Sequence, residues 1–513
     1  MVKGLGIIFF LLYCLTGNAQ LKSNKALHWL IKDLHKTRVD SNRVYVLLQI
    51  ANYYLERVPP TEHKIDSALS YIQEADKITA NLHLPVLKQE VAHCLAKYYL
   101  NTGHRNRGKK ILLDLVNHER DNGNRDREIQ WLIDLQDHLV FEDTVGVSKL
   151  DCLERLVLLY DPILHRKDRI EAELRFGNYY FGQSQLDSAE ARILQTVERY
   201  SPPDPELFYR PYRVLSEIYR YKGNLNKALI YAIKSVKAAE QVDGAGDLDY
   251  IFGQLALVYQ DLGLVGSSIE WYNKALAIRI QTKQEPFVIY RTAGFLVQQL
   301  IKQKNITEAT TVINLVSKET HPVSAFDSAT FFQLKANYYY SVKKYKIAEL
   351  YYKKMIESHG IFGRFPEISV IAYQDIGEFY LSQQQYQKSK DYLTSALNVK
   401  FSETTPARLR DIYFQLYSVD SSMGDFQSAL KYLRIYQNLN DSLFNVNKSR
   451  QIEELRIQYE TDKVDQNNKL LEKETRLQHN QLNQAKLSRK WILSALLAMF
   501  VFLGLLLYNA MMK

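Results

Sequence analysis

Small residues recur along most of this chain, each followed three positions later by an aromatic residue, at a step of about forty residues. Side chains three positions apart lie on one face of an α-helix, so the pattern predicts helices whose packed face sets a small residue beside a large one. Self-similarity at a fixed period of this size is typical of a solenoid, in which each unit packs on its neighbours. The clearest five-residue signatures are 51–55, 96–100, 177–181, 336–340 and 377–381.

A second small residue lies twelve positions after the first, which predicts two antiparallel helices in each unit. Helix axes approach closely only where the side chains on both sides of the contact are small. Glycine lies between the two positions in several units, where one helix must end and the chain must turn. The pairs at this spacing, in which only Val297 and Tyr417 are not small, are Gly177 with Ala189, Ser216 with Ala228, Ala256 with Ser268, Val297 with Ala309, Ala336 with Ala348, Gly377 with Ser389, and Tyr417 with Ala429.

This spacing resembles the tetratricopeptide repeat, and Tyr272 and Tyr352 match a further position where that repeat often has an aromatic residue. The resemblance covers roughly residues 24–440, although residues 116–165 match poorly, and the step exceeds the usual period of about 34 residues. It implies an all-α fold, a right-handed solenoid of tetratricopeptide-like helix pairs. The alternative is an irregular helical bundle whose periodicity arises by chance.

Composition supports a helical repeat protein and argues against one class of ligand, nucleic acid. The 513 residues include 36 Tyr and only 12 Pro, and no extended strand-like alternation stands out. A chain of this length is too long to fold around one compact core, but it is usual for a protein built of stacked repeats. The net charge of +9 is spread along the chain, so nothing specific indicates a nucleic-acid ligand.

The two ends of the chain carry apolar segments. Residues 1–19 are predicted to be a secretory signal peptide, because Lys3 precedes an apolar stretch and Ala19 is a small residue suited to cleavage; an uncleaved anchor is the alternative. Residues 491–508 carry no charge and would span about 27 Å as a helix, which predicts a transmembrane helix; a buried hydrophobic helix is the alternative.

These segments predict a topology and a localisation. The protein is expected to cross the inner membrane once, with the repeats, residues 20–444, in the periplasm and a short tail, residues 509–513, in the cytoplasm. Lys486, Arg489 and Lys490 flank the outer side and oppose the positive-inside rule, but that rule is weak for large exported domains.

Residues 445–490 lack Gly and Pro and are rich in Glu, Lys, Gln and Asn. Ile457, Val464 and Leu471 are seven positions apart, which predicts a long stalk helix with a thin coiled-coil seam. A homodimer through the stalk and the membrane helix is one expectation, and a single solvated helix is the other.

The stretch ELRIQYETDK at 454–463, with the polar and apolar segments after it, resembles the sensor half of Bacteroidetes-type membrane signalling proteins. In that family, exported tetratricopeptide repeats lead through a stalk and a membrane helix to a sensor histidine kinase or a helix-turn-helix DNA-binding domain. The resemblance implies a sensing half without its output domain, a half that either has a separate cytoplasmic output protein as partner or has lost signalling.

The sequence contains no catalytic constellation, and we expect a protein that is not an enzyme and that needs neither cofactor nor metal. The stretch at 108–110 lacks the flanking residues of a P-loop, and His118 lacks the second His of a zinc-binding HExxH motif. Cys94 and Cys152 are expected to be buried free thiols, with a disulfide between them as the alternative.

The candidate ligand-binding residues lie on the predicted concave face. In the tetratricopeptide family the position after the first small residue faces the groove, which implies this role for Asn52, Asn178 and Asn337. An Asn side chain can bond a peptide backbone through both its C=O and its NH₂ group.

Four charged residues form a second candidate set at helical spacing: Arg210, Arg213, Glu217 and Arg220. Arginines grouped in this way can hold a carboxylate through paired hydrogen bonds. The alternative is a set of ordinary groove residues in which Glu217 and neighbouring acids neutralise the arginines.

These patterns together predict a membrane-anchored periplasmic repeat protein that binds a protein or a peptide, as the sensing half of a signal-transduction system. A static envelope scaffold without a signalling role is the alternative. Signalling needs two global states that differ in affinity for the ligand. The sequence leaves the ligand and the oligomeric state open.

Overall fold

The computed structural model describes residues 24–55, 62–139, 146–200, 204–242, 244, 246–358, 366–399 and 404–443, together with 473–475, 477 and 499. Every regular element in these ranges is a helix, so the all-α prediction is confirmed for this part of the chain. The chain divides into two compact units, which we call unit 1, up to Tyr200, and unit 2, from Ser201 onward.

Unit 1 contains consecutive helices joined mostly by short turns. Their bounds are α1 Asn24–Leu34, α2 Ser41–Leu55, α3 Glu62–Asn81, α4 Pro85–Asn101, α5 Arg105–Asp121, α6 Arg125–His138, α7 Lys149–Leu159, α8 Arg166–Gly182 and α9 Leu186–Arg199. The helices around residues 116–165, where the repeat pattern matches poorly, include the 11-residue α7, which is shorter than the neighbouring helices α6 and α8.

Unit 2 is a series of helical hairpins, in each of which two successive helices pack together as expected for a tetratricopeptide-like solenoid. The bounds are α10 Pro205–Tyr221, α11 Leu225–Ala239, α12 Leu248–Asp261, α13 Val265–Gln281, α14 Pro286–Lys302, α15 Ile306–Glu319, α16 Ala325–Ser341, α17 Tyr345–Glu357, α18 Pro366–Ser382, α19 Tyr386–Asn398, α20 Pro406–Met423 and α21 Phe426–Leu443.

The small residues lie where the two helices of a hairpin come closest. In α18 and α19, the Ser389 hydroxyl donates a hydrogen bond to the Gly377 carbonyl oxygen at 2.8 Å. A Cβ atom placed on Gly377 would lie only 2.7 Å from the side chain of Leu393. The Ser216 hydroxyl likewise donates to the Ala228 carbonyl oxygen at 2.8 Å. The predicted reason for the spacing, close approach of two helix backbones, therefore holds at these crossings.

Tyrosines stack one helical turn beyond the small pairs. Tyr380 and Tyr392, each three residues after a member of the Gly377 and Ser389 pair, have ring centroids 5.7 Å apart and planes inclined by 12°. The same arrangement recurs in Tyr54 with Tyr71, Tyr219 with Tyr231, and Tyr339 with Tyr351. Stacked aromatic pairs add stabilisation of about 0.5–1.5 kcal/mol beyond the area they bury.

The turns within the hairpins need a residue in the left-handed backbone region. Gly223, Gly263 and Gly424 fill this position with φ of 74°, 76° and 81°. Other turns of unit 2 place Lys304 or Lys343 there, at φ of 62° and 60°. The turn glycines are thus a reliable but incomplete marker of the repeat.

The first hairpin of unit 2 contacts the last one. A Cβ atom on Gly223, in the turn after α10, would lie 3.2 Å from Pro406 at the start of α20 and 3.5 Å from Leu443 at the end of α21. An ion pair also crosses the unit, since Arg220 Nη2 on α10 lies 3.5 Å from Glu367 Oε1 on α18. The hairpins of unit 2 therefore close on themselves.

None of the helices in the described ranges is both long enough and apolar enough to cross a membrane. The helices of 18 or more residues, α3, α20 and α21, carry charged side chains that a bilayer core disfavours. This finding contradicts the predicted localisation, a single-pass inner-membrane protein with periplasmic repeats and a cytoplasmic C-terminus. The predicted localisation is therefore wrong.

The predicted end segments themselves fall on residues that the structure does not describe. The signal peptide, 1–19, and the tail, 509–513, lie wholly outside the described residues. Of the predicted membrane helix, 491–508, only Met499 is described, and of the predicted stalk, 445–490, only 473–475 and Leu477 are described.

Candidate functional site

A cavity of about 920 Å³ opens in unit 2. Residues of α12, α14, α16, α18 and α20, the first helices of five successive hairpins, form its walls together with parts of α17 and α21. Its volume falls within the range of about 300–1,000 Å³ that is usual for ligand sites. We call it the unit 2 cavity.

The position after the first member of a pair spaced twelve residues apart faces this cavity in four hairpins. Gln298, Asn337, Glu378 and Ser418 occupy that position and all line the unit 2 cavity. The repeat pattern therefore places one polar side chain from each of α14, α16, α18 and α20 around a common space.

Asn337 lies at the centre of a hydrogen-bonded network on the cavity wall. Its Nδ2 donates to Asp375 Oδ2 at 2.7 Å, and its Oδ1 accepts a hydrogen bond from the Tyr352 hydroxyl at 2.6 Å. Gln333 Nε2 donates to the same Asp375 oxygen at 2.8 Å. Burial raises the pKa of Asp375, and the hydrogen bonds from Asn337 and Gln333 offset only part of that effect.

Glu378 lies three residues after Asp375 on α18. Its Oε2 accepts a hydrogen bond from Gln415 Nε2 at 3.1 Å. Its side chain is exposed to solvent in the cavity and lies among the cavity walls. Burial among these walls, with the charge of Asp375 as a further cause, raises the pKa of Glu378 to about 7.

Basic and aromatic side chains complete the cavity wall. Arg408 Nη1 donates to Gln374 Oε1 at 2.7 Å, and Arg410 Nη2 lies 2.6 Å from Asp411 Oδ1. Phe414 is 45% exposed, and its ring centroid lies 5.0 Å from that of Tyr436. The cavity thus offers charged, amide and aromatic groups within one space.

A cluster of buried ion pairs adjoins the unit 2 cavity. Asp261 belongs to this cluster and also lines the cavity. Arg220 Nε lies 2.7 Å from Asp261 Oδ2, and these side chains are only 4% and 9% exposed. Arg291 Nη2 lies 3.5 Å from Glu367 Oε2. Burial alone would raise the pKa of Glu367, but the charges of Arg291, Arg220 and Arg408 hold it below its ordinary value.

The predicted arginine set lies on α10 with acidic partners inside unit 2. Arg210 Nε is 2.8 Å from Asp247 Oδ2, and Arg213 Nη1 is 3.3 Å from Glu217 Oε2. Burial raises the pKa of Glu217, and the charges of Arg213 and Arg220 offset part of that effect. Whether these arginines hold a ligand carboxylate stays a prediction.

The predicted asparagines lie in different places. Asn337 lines the unit 2 cavity, whereas Asn52 and Asn178 belong to unit 1. Asn52 is half-buried, with its Oδ1 3.7 Å from Cys94 Sγ, and Asn178 is exposed on α8.

Asp375 and Glu378 are not among the site residues that the sequence predicts, although one signal points to Glu378. It directly follows Gly377, the small residue of a clear five-residue signature, and the rule that selected Asn337 selects it too. Asp375 carries no such mark, because its place depends on amide partners 38 and 42 positions away in the sequence.

Across the described ranges, no cluster of three or more His, Cys, Asp or Glu side chains is arranged to hold a metal ion. Cys94 and Cys152 are buried free thiols, and burial raises the pKa of Cys152 to about 12.

Two stretches of the chain, 250–279 and 370–402, match the tetratricopeptide repeat family. They fall on the α12–α13 and α18–α19 hairpins. Both hairpins contribute residues to the wall of the unit 2 cavity. A comparison with curated proteins finds no match.

Several solved structures are similar to this chain at low identity. One is a Rap protein complexed with Competence and Sporulation Factor, at 14% identity over 79% of this chain and 99% of that one, with a TM-score of 0.42. NprR in complex with its cognate peptide NprX is 14% identical over 66% of this chain and 85% of that one, with a TM-score of 0.39. A tetratricopeptide repeat protein from Parabacteroides merdae ATCC 43184 is 15% identical over 56% of this chain and 98% of that one, with a TM-score of 0.35.

Proposed function

We propose that this protein is a non-enzymatic binding protein that holds a peptide segment, free or within a partner protein, in the unit 2 cavity. The observation that supports the proposal is the cavity itself, which measures about 920 Å³ and receives side chains from five successive hairpins. A peptide that enters this cavity can contact side chains from several hairpins at once.

The chemistry of the walls suits a peptide. A peptide backbone presents a donor and an acceptor at nearly every residue, and Asn and Gln side chains match both. Gln298, Asn337, Gln374 and Gln415 bring such amides to the cavity from four different helices. Phe414 and Tyr436 add an aromatic surface for an apolar or aliphatic side chain.

A sensing role in signal transduction is the finer form of the proposal, as the resemblance to membrane signalling proteins implies. Because the cavity walls belong to separate hairpins, a ligand that bridges α16 and α20 would favour one spacing of those hairpins over another. Such differential affinity is what a signalling change requires. A static scaffold would bind the same ligand without that change.

A cavity-blocking variant tests the binding proposal. Peptides would be selected from a random heptapeptide display library on the full chain and then measured by fluorescence polarisation. Ser418 lines the cavity on α20, and Ser422, one turn further along the same helix, is exposed and does not line it. Ser418→Trp is expected to weaken binding at least about tenfold, equal to about 1.4 kcal/mol, whereas Ser422→Trp leaves it unchanged.

Peptides that bind both tryptophan variants as well as the native chain would contradict a site in the cavity. Recovery of no specific peptide would contradict the peptide-binding proposal itself. For a selected peptide, hydrogen exchange in α16 and α20 separates the two roles. A change that extends beyond the contacted residues supports sensing, and a change confined to them supports a scaffold.

A further inference from the structure

Two acidic side chains in the unit 2 cavity lack a cationic partner among the described residues. The acidic residues that line the cavity are Asp261, Asp375, Glu378 and Asp411. Asp261 pairs with Arg220, and Asp411 pairs with Arg410. Asp375 and Glu378 form no ion pair within the described ranges, although they lie side by side on α18.

Neutral amides hold these two carboxylates in place. Asp375 accepts hydrogen bonds from Asn337 and Gln333, and Glu378 accepts one from Gln415. Gln333 is itself 9% exposed, so the hydrogen bonds that Asp375 accepts are anchored in the packed wall. Amide N–H groups orient a carboxylate but carry no full positive charge, and a charged donor would bind it about twice as strongly.

The electrostatics agree with a site that lacks its cation. Burial raises the pKa of both carboxyl groups, that of Glu378 to about 7. The charge of Lys302 on α14 lowers the pKa of Glu378 and that of Asp411 on α20 raises it, while the charge of Arg408 on α20 lowers the pKa of Asp375; both pKa values nevertheless stay raised. An opposite charge brought beside both carboxylates would favour their ionised forms.

The aromatic wall supplies the other half of a site for a basic side chain. Phe414 lies on α20 next to Gln415, the residue that donates to Glu378. The long alkyl stem of Lys or Arg packs on aromatic surfaces, and its charged end is attracted to a ring face. Carboxylates and aromatic groups thus line the same cavity.

We infer that Asp375 and Glu378 form the subsite for a positively charged group of the peptide ligand, a Lys or Arg side chain or an N-terminal ammonium. This inference rests on the proposed function. A divalent metal ion fits less well, because Ca²⁺ takes about 6–8 oxygen ligands and the amides present N–H groups to these carboxylates.

Three peptide mixtures test the inference on the full chain. They are random hexapeptides, acetylated and amidated at their ends, that differ only in a fixed central residue, which is Lys, Gln or Glu. The Lys mixture is expected to bind about tenfold more tightly than the Gln mixture, and the Glu mixture more weakly than either. Asp375→Asn and Glu378→Gln, which remove charge and keep shape, should each reduce the Lys preference to below about threefold. Asp391→Asn, which alters an exposed acid on α19, is the control and should keep the preference.

The outcomes separate this inference from the proposed function. If the Lys and Gln mixtures bind equally and Ser418→Trp abolishes both, the cavity binds peptides but the cationic subsite is wrong. A Lys preference that survives in both Asp375→Asn and Glu378→Gln also overturns it. If no mixture shows binding that depends on Ser418, the proposed function fails and the subsite with it. Saturable calorimetric binding of Ca²⁺ or Mg²⁺ that Glu378→Gln removes would assign the two carboxylates to a metal instead.

Discussion

At the scale of single residues, the small side chains at the helix crossings decide how closely the two helices of a hairpin pack. Gly377 has no room for a Cβ atom, because Leu393 is fully buried and lies 2.7 Å from the place that the atom would occupy. Gly294, in the middle of α14, has no neighbouring atom within 4 Å of the same place. An added Cβ atom would therefore clash at Gly377 and meet open space at Gly294.

Alanine at these two positions should change stability in opposite directions. Gly377→Ala is expected to lower the free energy of unfolding by up to about 2 kcal/mol, because overpacking costs about 1–3 kcal/mol and the gain in helix propensity returns only about 1 kcal/mol. Gly294→Ala should raise it by about 0.5–1 kcal/mol, since only the propensity gain applies. Urea denaturation of the full chain measures both, and stabilisation by Gly377→Ala would show that α18 and α19 can move apart without cost.

The sequence predicted the small residues and the first tyrosine of each stack, but not the partner tyrosine. Tyr231, Tyr351 and Tyr392 lie three residues after the second small residue, at the same offset as the first tyrosine. The signal was therefore present, but it becomes meaningful only when the two helices are seen to run antiparallel. Stacking between helices is a consequence of packing that a single-helix period does not contain.

At the scale of helices, α10 carries two arginines in opposite environments. Arg220 is 4% exposed and pairs with Asp261 and Glu367, which belong to α12 and α18. Arg210 and its partner Asp247 are 42% and 38% exposed. A buried charge that loses its partner is costly, whereas an exposed ion pair contributes little.

Removing each arginine should reveal this difference. Arg220→Met is expected to destabilise the protein by about 3–5 kcal/mol, because it leaves the buried Asp261 without its cation and removes one of the two arginines beside Glu367. Arg210→Met should cost no more than about 1 kcal/mol. The midpoints of urea unfolding give the comparison, and equal losses would mean that Asp261 and Glu367 reach solvent or another cation once Arg220 is absent.

The helical hairpins and their turns could be predicted, but the contacts between distant hairpins could not. The repeat period specifies which side chains face inward, as Gln298, Asn337, Glu378 and Ser418 illustrate. The pairing of Arg220 with Glu367, 147 residues away, depends on how far successive hairpins rotate. That rotation is the sum of many small packing angles, which no local pattern encodes.

At the scale of the whole molecule, the cavity carboxylates link stability to pH. The pKa of Glu378 rises from an ordinary 4.5 to about 7, so the folded protein holds its proton more tightly than the unfolded chain does. The stability that this proton provides is complete below the ordinary value and is lost as the pH rises through about 7. Asp375 acts in the same direction.

The variant Glu378→Gln should therefore show a smaller loss of stability between about pH 4.5 and about pH 7 than the native chain. Urea midpoints measured across that range give the two slopes. Glu270→Gln, at an exposed position on α13, is the control and should follow the native slope. Parallel curves for all three proteins would mean that Glu378 titrates as it does in the unfolded chain.

Closure of unit 2 can be measured with its turn glycines. Gly223 and Gly263 share a left-handed backbone, but only Gly223 has neighbours, Pro406 and Leu443, within 4 Å of an added Cβ. Alanine should cost about 1–2 kcal/mol at Gly263 through backbone strain alone, and about 1 kcal/mol more at Gly223 through the contact. Equal losses in urea denaturation would indicate that the first and last hairpins separate readily.

That same contact at Gly223 bears on how the protein is made. In an open array of repeats, each hairpin can fold as soon as it leaves the ribosome, because it needs only the hairpin before it. Here the turn after α10 completes its packing against Leu443, which is synthesised 220 residues later. The opening hairpin of unit 2 must therefore wait, with part of its surface uncovered, until the final helix has emerged. Long-range contacts of this kind slow folding. If synthesis stopped before α21, unit 2 would lack its last helix, and its first hairpin would also lack the contact that Leu443 provides.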